Sequence, residues 1–214
     1  MKRTVYLCFL ALVAFSCSTS DHNQDHQDPS SNFYALTVGN QWVYKNYQYN
    51  ATTQTYEDTG VIDSVSIVST EVLNNKTYYK FRRWTTGNEA GIAFCNPNGE
   101  HFELLRDSLG YLVKDNGRIK YTNNHFTARV LTTSDWGTVY DQLIALDNEI
   151  TVEAGSFIST YSQRYAILNN GSQSPGLDHI YYADGYGLIY NTSSFVSEDI
   201  PSIVRRLDSY LVEE

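Results

Sequence analysis

Tyr111-Leu112-Val113-Lys114-Asp115-Asn116-Gly117-Arg118-Ile119-Lys120-Tyr121 sets an Asn-Gly pair between two runs of alternating apolar and polar residues. Asn-Gly is the preferred centre of a two-residue type I′ turn, because both central residues need positive φ there. The stretch therefore predicts an antiparallel hairpin. Its neighbours carry the same period of two. In 77–84 (TYYKFRRW), Tyr79 and Phe81 oppose Lys80 and Arg82. In 61–68, Val65 and Ile67 oppose Ser64 and Ser66, and 101–106 (HFELLR) is another short strand. Further strands are expected at 42–49, 128–132, 149–153, 159–168, 179–183, 187–191 and 203–212. Only four Pro, with many Gly, Asn and Asp between the runs, fit a meander of short antiparallel strands. The expected fold class is all-β: a curved antiparallel meander, lipocalin-like in architecture, closed as a barrel, open as a half-barrel, or packed as a sandwich. Each of these hides or closes its sheet edges. One stretch resists this reading. Val139, Leu143 and Leu146, with Asp135 as N-cap, fit a short helix over 136–146 as well as an irregular strand.

Composition agrees. Of 214 residues, 42% are hydrophobic, 18% charged and 14% aromatic, with 18 Tyr against 9 Phe and 3 Trp. Tyr suits a sheet with one apolar and one wet face, since it offers a ring to the core and a hydroxyl to water. The net charge of −9 argues against nucleic acid as a partner, which needs a basic footprint.

The N-terminus reads as an address. Lys2 and Arg3 precede an apolar run of 11 residues, 5–15, shorter than the roughly 20 a membrane-spanning helix needs. The run ends in Ala14-Phe15-Ser16-Cys17, which resembles a bacterial lipobox. The expectation is a signal peptide over 1–16 and lipidation of Cys17, palmitate being one expected chain, with two or more chains giving a stable anchor. Phe15 is bulkier than the residue usual at its position, and an ordinary signal peptide cleaved near Cys17 is the alternative. Losing Lys2 and Arg3, with no acid among residues 1–16, takes the net charge from −9 to −11. Residues 18–32 (STSDHNQDHQDPSSN) contain no aliphatic or aromatic side chain and read as a solvated tether. Residues 17–32 are thus anchor and tether, and 33–214 a single β domain. Acids soon after a lipidated Cys resemble the surface-export signal of Bacteroidetes-type lipoproteins. The expected location is the outer membrane, on its outer face. With Cys8 in the signal and Cys17 acylated, Cys95 is the only free thiol, expected as a small buried hydrophobe.

Four pieces of the β domain resemble a family of small, mostly uncharacterised Bacteroidetes-type envelope lipoproteins. They are Tyr34-Ala35-Leu36-Thr37-Val38-Gly39-Asn40-Gln41-Trp42-Val43-Tyr44, Leu104-Leu105-Arg106-Asp107-Ser108-Leu109-Gly110-Tyr111, Ile150-Thr151-Val152-Glu153-Ala154-Gly155-Ser156-Phe157 and Tyr181-Tyr182-Ala183-Asp184-Gly185-Tyr186-Gly187-Leu188-Ile189. In the third, Glu153 and Ser156 stand where the family has Pro and Thr. The resemblance implies a curved antiparallel sheet with Trp42 and Phe157 in its core, and no known reaction. Asp63-Ser64-Val65 and Asp107-Ser108-Leu109 also resemble a short O-glycosylation acceptor of such envelope proteins.

Motifs of chemistry are sparse. There is no Gly-x-Ser-x-Gly elbow and no Walker A pattern. His101, His125 and His179 have no zinc-ligand spacing, so no metal, cofactor or catalytic residue is implied. Asp141, Asp147, Glu149 and Glu153 read as a solvated acidic face. The aromatic excess carries what functional colour there is. Trp84, Trp136, Tyr78, Tyr182 and Tyr186 are the candidate ligand-binding residues, able to line a groove for a small apolar or glycan ligand. Their alternative role is to fill and edge the sheet. The expected function is a monomeric, non-enzymatic binding or interaction module on the membrane, for such a ligand or a partner protein. The alternatives are a structural or accessory surface lipoprotein, and a hydrolase whose site assembles only in space.

Overall fold

The computed structural model describes residues 32–213. The expected signal peptide, Cys17 and nearly all of the tether therefore lie outside the described residues. Twelve strands follow in order: β1 (Gln41–Asn50), β2 (Thr55–Leu73), β3 (Lys76–Thr86), β4 (Gly99–Ser108), β5 (Tyr111–Lys114) and β6 (Ile119–Thr122), then β7 (Arg129–Ser134), β8 (Gly137–Val152), β9 (Gly155–Leu168), β10 (Gln173–Ala183), β11 (Gly187–Ser193) and β12 (Ile203–Leu211). They form one antiparallel sheet in the order β6-β5-β4-β3-β2-β1-β12-β11-β10-β9-β8-β7. Every sequential pair except β6 and β7 is a hairpin, and β1 and β12 close the middle. The sheet stays open, since β6 and β7 are its two edges. It nevertheless curls until β6 meets β10: Tyr121 stacks on Tyr182 with ring centroids 4.1 Å apart, and the Tyr121 hydroxyl meets Thr160 Oγ1 of β9 at 2.8 Å. The curved all-β meander is thus an open half-barrel.

The core follows the period of two. Trp42, Tyr44 and Asn46 of β1 are buried in alternation, as are Val61, Asp63 and Ile67 of β2. Ahead of β1, Phe33, Tyr34, Ala35 and Leu36 are buried. Tyr34 donates to the Gly110 carbonyl at 2.6 Å and lies edge-on to Tyr182 and Tyr121. This segment plugs the interior, each buried aromatic contributing about 2–3 kcal/mol. Trp42 and Phe157 are both buried in the core.

Two local expectations are corrected. The 136–146 stretch is not a helix but the start of β8, paired with β7 and β9. Val139 and Leu143 follow strand alternation, while Leu146 is 42% exposed. The β8–β9 register shifts between Leu143 and Ala145, and again between Ala145 and Asn148. Those bulges break the period of two and leave apolar residues three and four apart. The Asn116-Gly117 hairpin forms, but not with a type I′ turn. Within its loop only Gly117 has positive φ, 81°. Gly117 N–H donates to Lys114 O at 3.0 Å, and Lys114 N–H to Arg118 O at 2.9 Å, the three-residue form that ends in a left-handed glycine. Beyond the loop a bulge at Lys120 shifts the β5–β6 register between Leu112 and Val113. Lys120 and Tyr121, neighbours in sequence, consequently both reach the interior.

Candidate functional site

Under β1–β5 the curl leaves a cavity of about 560 Å³, within the range of small-molecule sites. One wall is apolar: Trp42, Tyr44, Val65, Phe81, Leu105 and Leu112. Trp42 and Phe81 stack at 6.1 Å. The polar atoms of this wall point elsewhere, Trp42 Nε1 to the Tyr186 carbonyl at 2.7 Å and the Tyr44 hydroxyl to the Leu188 carbonyl at 2.9 Å. Both rings border the cavity.

The same strands also bring charged side chains to the cavity, in two groups. The first is built on Asp63, buried to 1%. Its carboxylate accepts from Thr85 at 2.5 Å, from Asn96 at 3.1 Å and from Asn46 at 3.3 Å, and pairs with Arg205 at 3.0 Å. The Arg205 Nε donates to Asn46 Oδ1 at 3.2 Å. The β3–β4 loop reaches this group through Asn96. At its start Gly87, at φ 83°, lets the backbone pass so close to Gly60 that a Cβ would fall 2.1 Å from the Gly60 oxygen.

The second group is Glu103 held between Lys114, at 2.5 Å, and Lys120. Burial alone would raise the Glu103 pKa, but the two lysines outweigh it and hold it at about 2. For Lys120 the balance runs the other way, burial lowering its pKa despite Glu103. Its side chain keeps 30% of its accessible surface because it is ringed by protein yet faces the open cavity. Between the groups stand Arg83 and His101, opposite each other on β3 and β4. Arg83 Nη1 donates to Asn96 Oδ1 at 3.1 Å. His101 Nε2 meets the Pro97 carbonyl at 2.9 Å.

The expected aromatic set is not gathered in one place. Only Tyr182 lines the cavity. Trp84 is exposed on β3 with the Arg82 guanidinium 5.7 Å from its ring. Trp136 is exposed in the β7–β8 turn. Tyr78 is buried with Arg106 over its ring at 5.6 Å. Tyr186 packs edge-on to Phe157 and Tyr210 at 5.2 and 5.3 Å. The residues that pattern reading passed over are Arg83, Glu103 and Lys120. A signal for two of them existed: Arg83 shares the register of Tyr79 and Phe81, and Glu103 that of Leu105, so each is a charge in an apolar row.

A second buried ionic row crosses the other half of the sheet. Arg129 of β7 faces Asp141 of β8, Asp141 faces Arg164 of β9, and Arg164 faces Asp178 of β10. Arg129 pairs with Asp141. The solvated-face reading of Asp141 is thereby corrected: the side chain is 1% exposed, because it shares the inward register of Leu143. Burial raises the carboxyl pKa of Asp141, with Arg129 and Arg164 pulling against it, and burial raises that of Asp178 too. Cys95 is half-buried, and burial pushes its thiol up. Among the described residues, no group of three or more His, Cys, Asp or Glu could hold a metal ion.

No family model matches the chain, and no curated protein does. Two solved structures share its fold. One is a protein from Parabacteroides distasonis assigned as a lipoprotein, with TM-score 0.52 and 13% identity, covering 85% of this chain and 99% of its own. The other, from Bacteroides fragilis, is assigned as an exported protein with a YmcC-like fold. It has TM-score 0.52 and 9% identity, covering 85% of this chain and all of its own.

Proposed function

We propose that the protein is a lipid-anchored envelope protein that binds a small ligand, apolar over most of its surface, in the cavity under β1–β5. Cys17 would carry the acyl chains and residues 18–32 would hold the domain off an outer-membrane surface. The observation that carries the binding reading is the cavity itself. A purely structural domain of this size would fill that space with side chains. Here stacked aromatics and fixed polar groups line one cavity, the usual build of a ligand site. The charged groups are engaged in positioning rather than poised for chemistry, with Glu103 clasped by two lysines and His101 turned to a backbone carbonyl. The likeness to folds from two Bacteroidetes proteins, one assigned as a lipoprotein and one as exported, supports the envelope part.

The test uses the full chain. Cys17→Ala should move the protein from the membrane fraction to the soluble one. The neutral fluorophore N-phenyl-naphthylamine should bind the wild type saturably. Val65→Trp, which pushes an indole into the cavity from the wall beside Trp42, should weaken that uptake about tenfold or more. Uptake unchanged by Val65→Trp would overturn the cavity as the site.

A further inference from the structure

We infer that the cavity selects an amphiphile with a single anionic head, carboxylate or phosphate ester, whose tail lies on the Trp42–Phe81 wall and whose head meets Arg83 and Lys120. The inference rests on the binding reading above and deepens it. Its basis is charge. Five cations line the cavity, Lys80, Arg83, Lys114, Lys120 and Arg205, against four carboxylates, Asp63, Glu71, Glu103 and Asp115. The chain as a whole runs the opposite way, with 24 acids to 15 bases. Two of these cations are matched: Arg205 by Asp63, and Lys80 by Glu71 at 2.8 Å. Asp115 is exposed at the hairpin tip. What remains inside is Arg83, Lys114 and Lys120 around the single carboxylate of Glu103.

Arg83 is the strongest of these. Among the described residues it makes no ion pair, and its one hydrogen bond uses Nη1, leaving the rest of a five-donor fork for a ligand. A guanidinium without an ion-pair partner, half-buried at the cavity, is stabilised when an anion joins it. An anion also relieves the crowding of Arg83, Lys114 and Lys120, the first two close enough to depress the ionisation of the third. A head alone would gain little against water. The aromatic wall supplies the rest of the binding and requires a tail.

The experiment compares probes of equal chain length on the full-length protein by displacement of N-phenyl-naphthylamine: decanoate, decyl phosphate, decanol and decylamine, with acetate as a head without a tail. Decanoate or decyl phosphate should bind about tenfold tighter than decanol, and decylamine and acetate weakest. The better of the two anions identifies the head. Arg83→Gln should remove most of the preference for the anion, weakening the anions far more than decanol. Lys120→Gln should remove part of it, and gives the same reading if Arg83→Gln fails to fold. Added salt should weaken the anions and not decanol. Equal binding of decanol, decylamine and the anions would overturn the inference and leave the binding reading standing. No uptake of the fluorophore or of any probe would overturn both.

Discussion

Two buried ionic clusters face the interior from opposite halves of one sheet, and they are built to different ends. The row across β7–β10 alternates Arg129, Asp141, Arg164 and Asp178, so each charge sits beside its opposite and the row sums to zero. The cluster under β1–β5 also contains a closed part, Asp63, whose carboxylate is met by Thr85, Asn96, Asn46 and Arg205. Beside it, however, Arg83 makes no ion pair among the described residues and two lysines share Glu103. The alternating row balances its own charge, with Arg129–Asp141 the direct ion pair found in it among the described residues. A surplus of cation beside an open cavity is what the proposed anionic ligand would neutralise.

The sharpest way to break this comparison is to remove the central carboxylate from each cluster. Asp63→Ala strands Arg205 and leaves Thr85 and Asn96 without their acceptor, while Asn46 keeps the Val61 carbonyl. The expected loss is about 3–5 kcal/mol in urea unfolding. Asp141→Ala strands Arg129 as well, but Asp141 is already under-satisfied, its Oδ1 having no hydrogen-bond partner. Its removal should cost less, about 2–3 kcal/mol. The reverse order would mean that the β7–β10 row, not Asp63, is the anchor of the fold.

Acid separates the clusters with opposite signs. The Glu103 pKa is depressed to about 2 in the folded state, so its contribution is complete above its unfolded value of about 4.3 and is lost as pH falls toward 2. Burial acts against Lys120 in the same pair, which reduces the net effect to about 1–2 kcal/mol. Asp141 is raised by burial. Its ionisation costs stability as pH rises through its folded value, and mild acid relieves that cost. Glu103→Gln should therefore flatten the acid limb of the stability profile, while Asp141→Asn should flatten the rise that mild acid gives. Identical profiles for the two variants would show that the clusters do not differ in their ionisation.

How far the sequence showed all this can be judged residue by residue. The alternation of 77–84 and 61–68 gave the faces of β3 and β2 correctly, down to Phe81 and Ile67. It left 136–146 open between a helix and an irregular strand, and the strand, with two bulges, is what forms. It failed at the hairpin turn, because Asn-Gly fits two turn types and only packing chooses between them. The candidate ligand residues were chosen as aromatics, yet four of the five lie away from the cavity. Aromatic content says that rings are needed, not which side of a strand they occupy. The more telling mark was a charge set among apolar neighbours of one register. Asp63, Arg83, Glu103 and Asp141 all carry it. What alternation alone leaves open is whether such a charge is neutralised across the sheet, because that depends on strands far apart in sequence, as Asp63 and Arg205 are.

The smallest effect tests whether the two halves act as one body. Tyr121 ends the cavity half on β6, and its hydroxyl meets Thr160 on β9 while its ring stacks on Tyr182. Burial raises its pKa to about 12, so it remains a neutral donor at any physiological pH. Tyr121→Phe keeps the stack and removes one buried hydrogen bond, and Thr160 can still donate to the Tyr182 carbonyl at 3.1 Å. The expected cost is about 1 kcal/mol. Because the ring contact persists, unfolding should remain a single transition with an unchanged urea slope. If the slope falls and fluorescence and circular dichroism transitions separate, the hydroxyl is what couples the halves. The open side between β6 and β7 would then be a seam along which the cavity half can loosen alone, and ligand affinity in the cavity should fall with Tyr121→Phe although no cavity residue has changed.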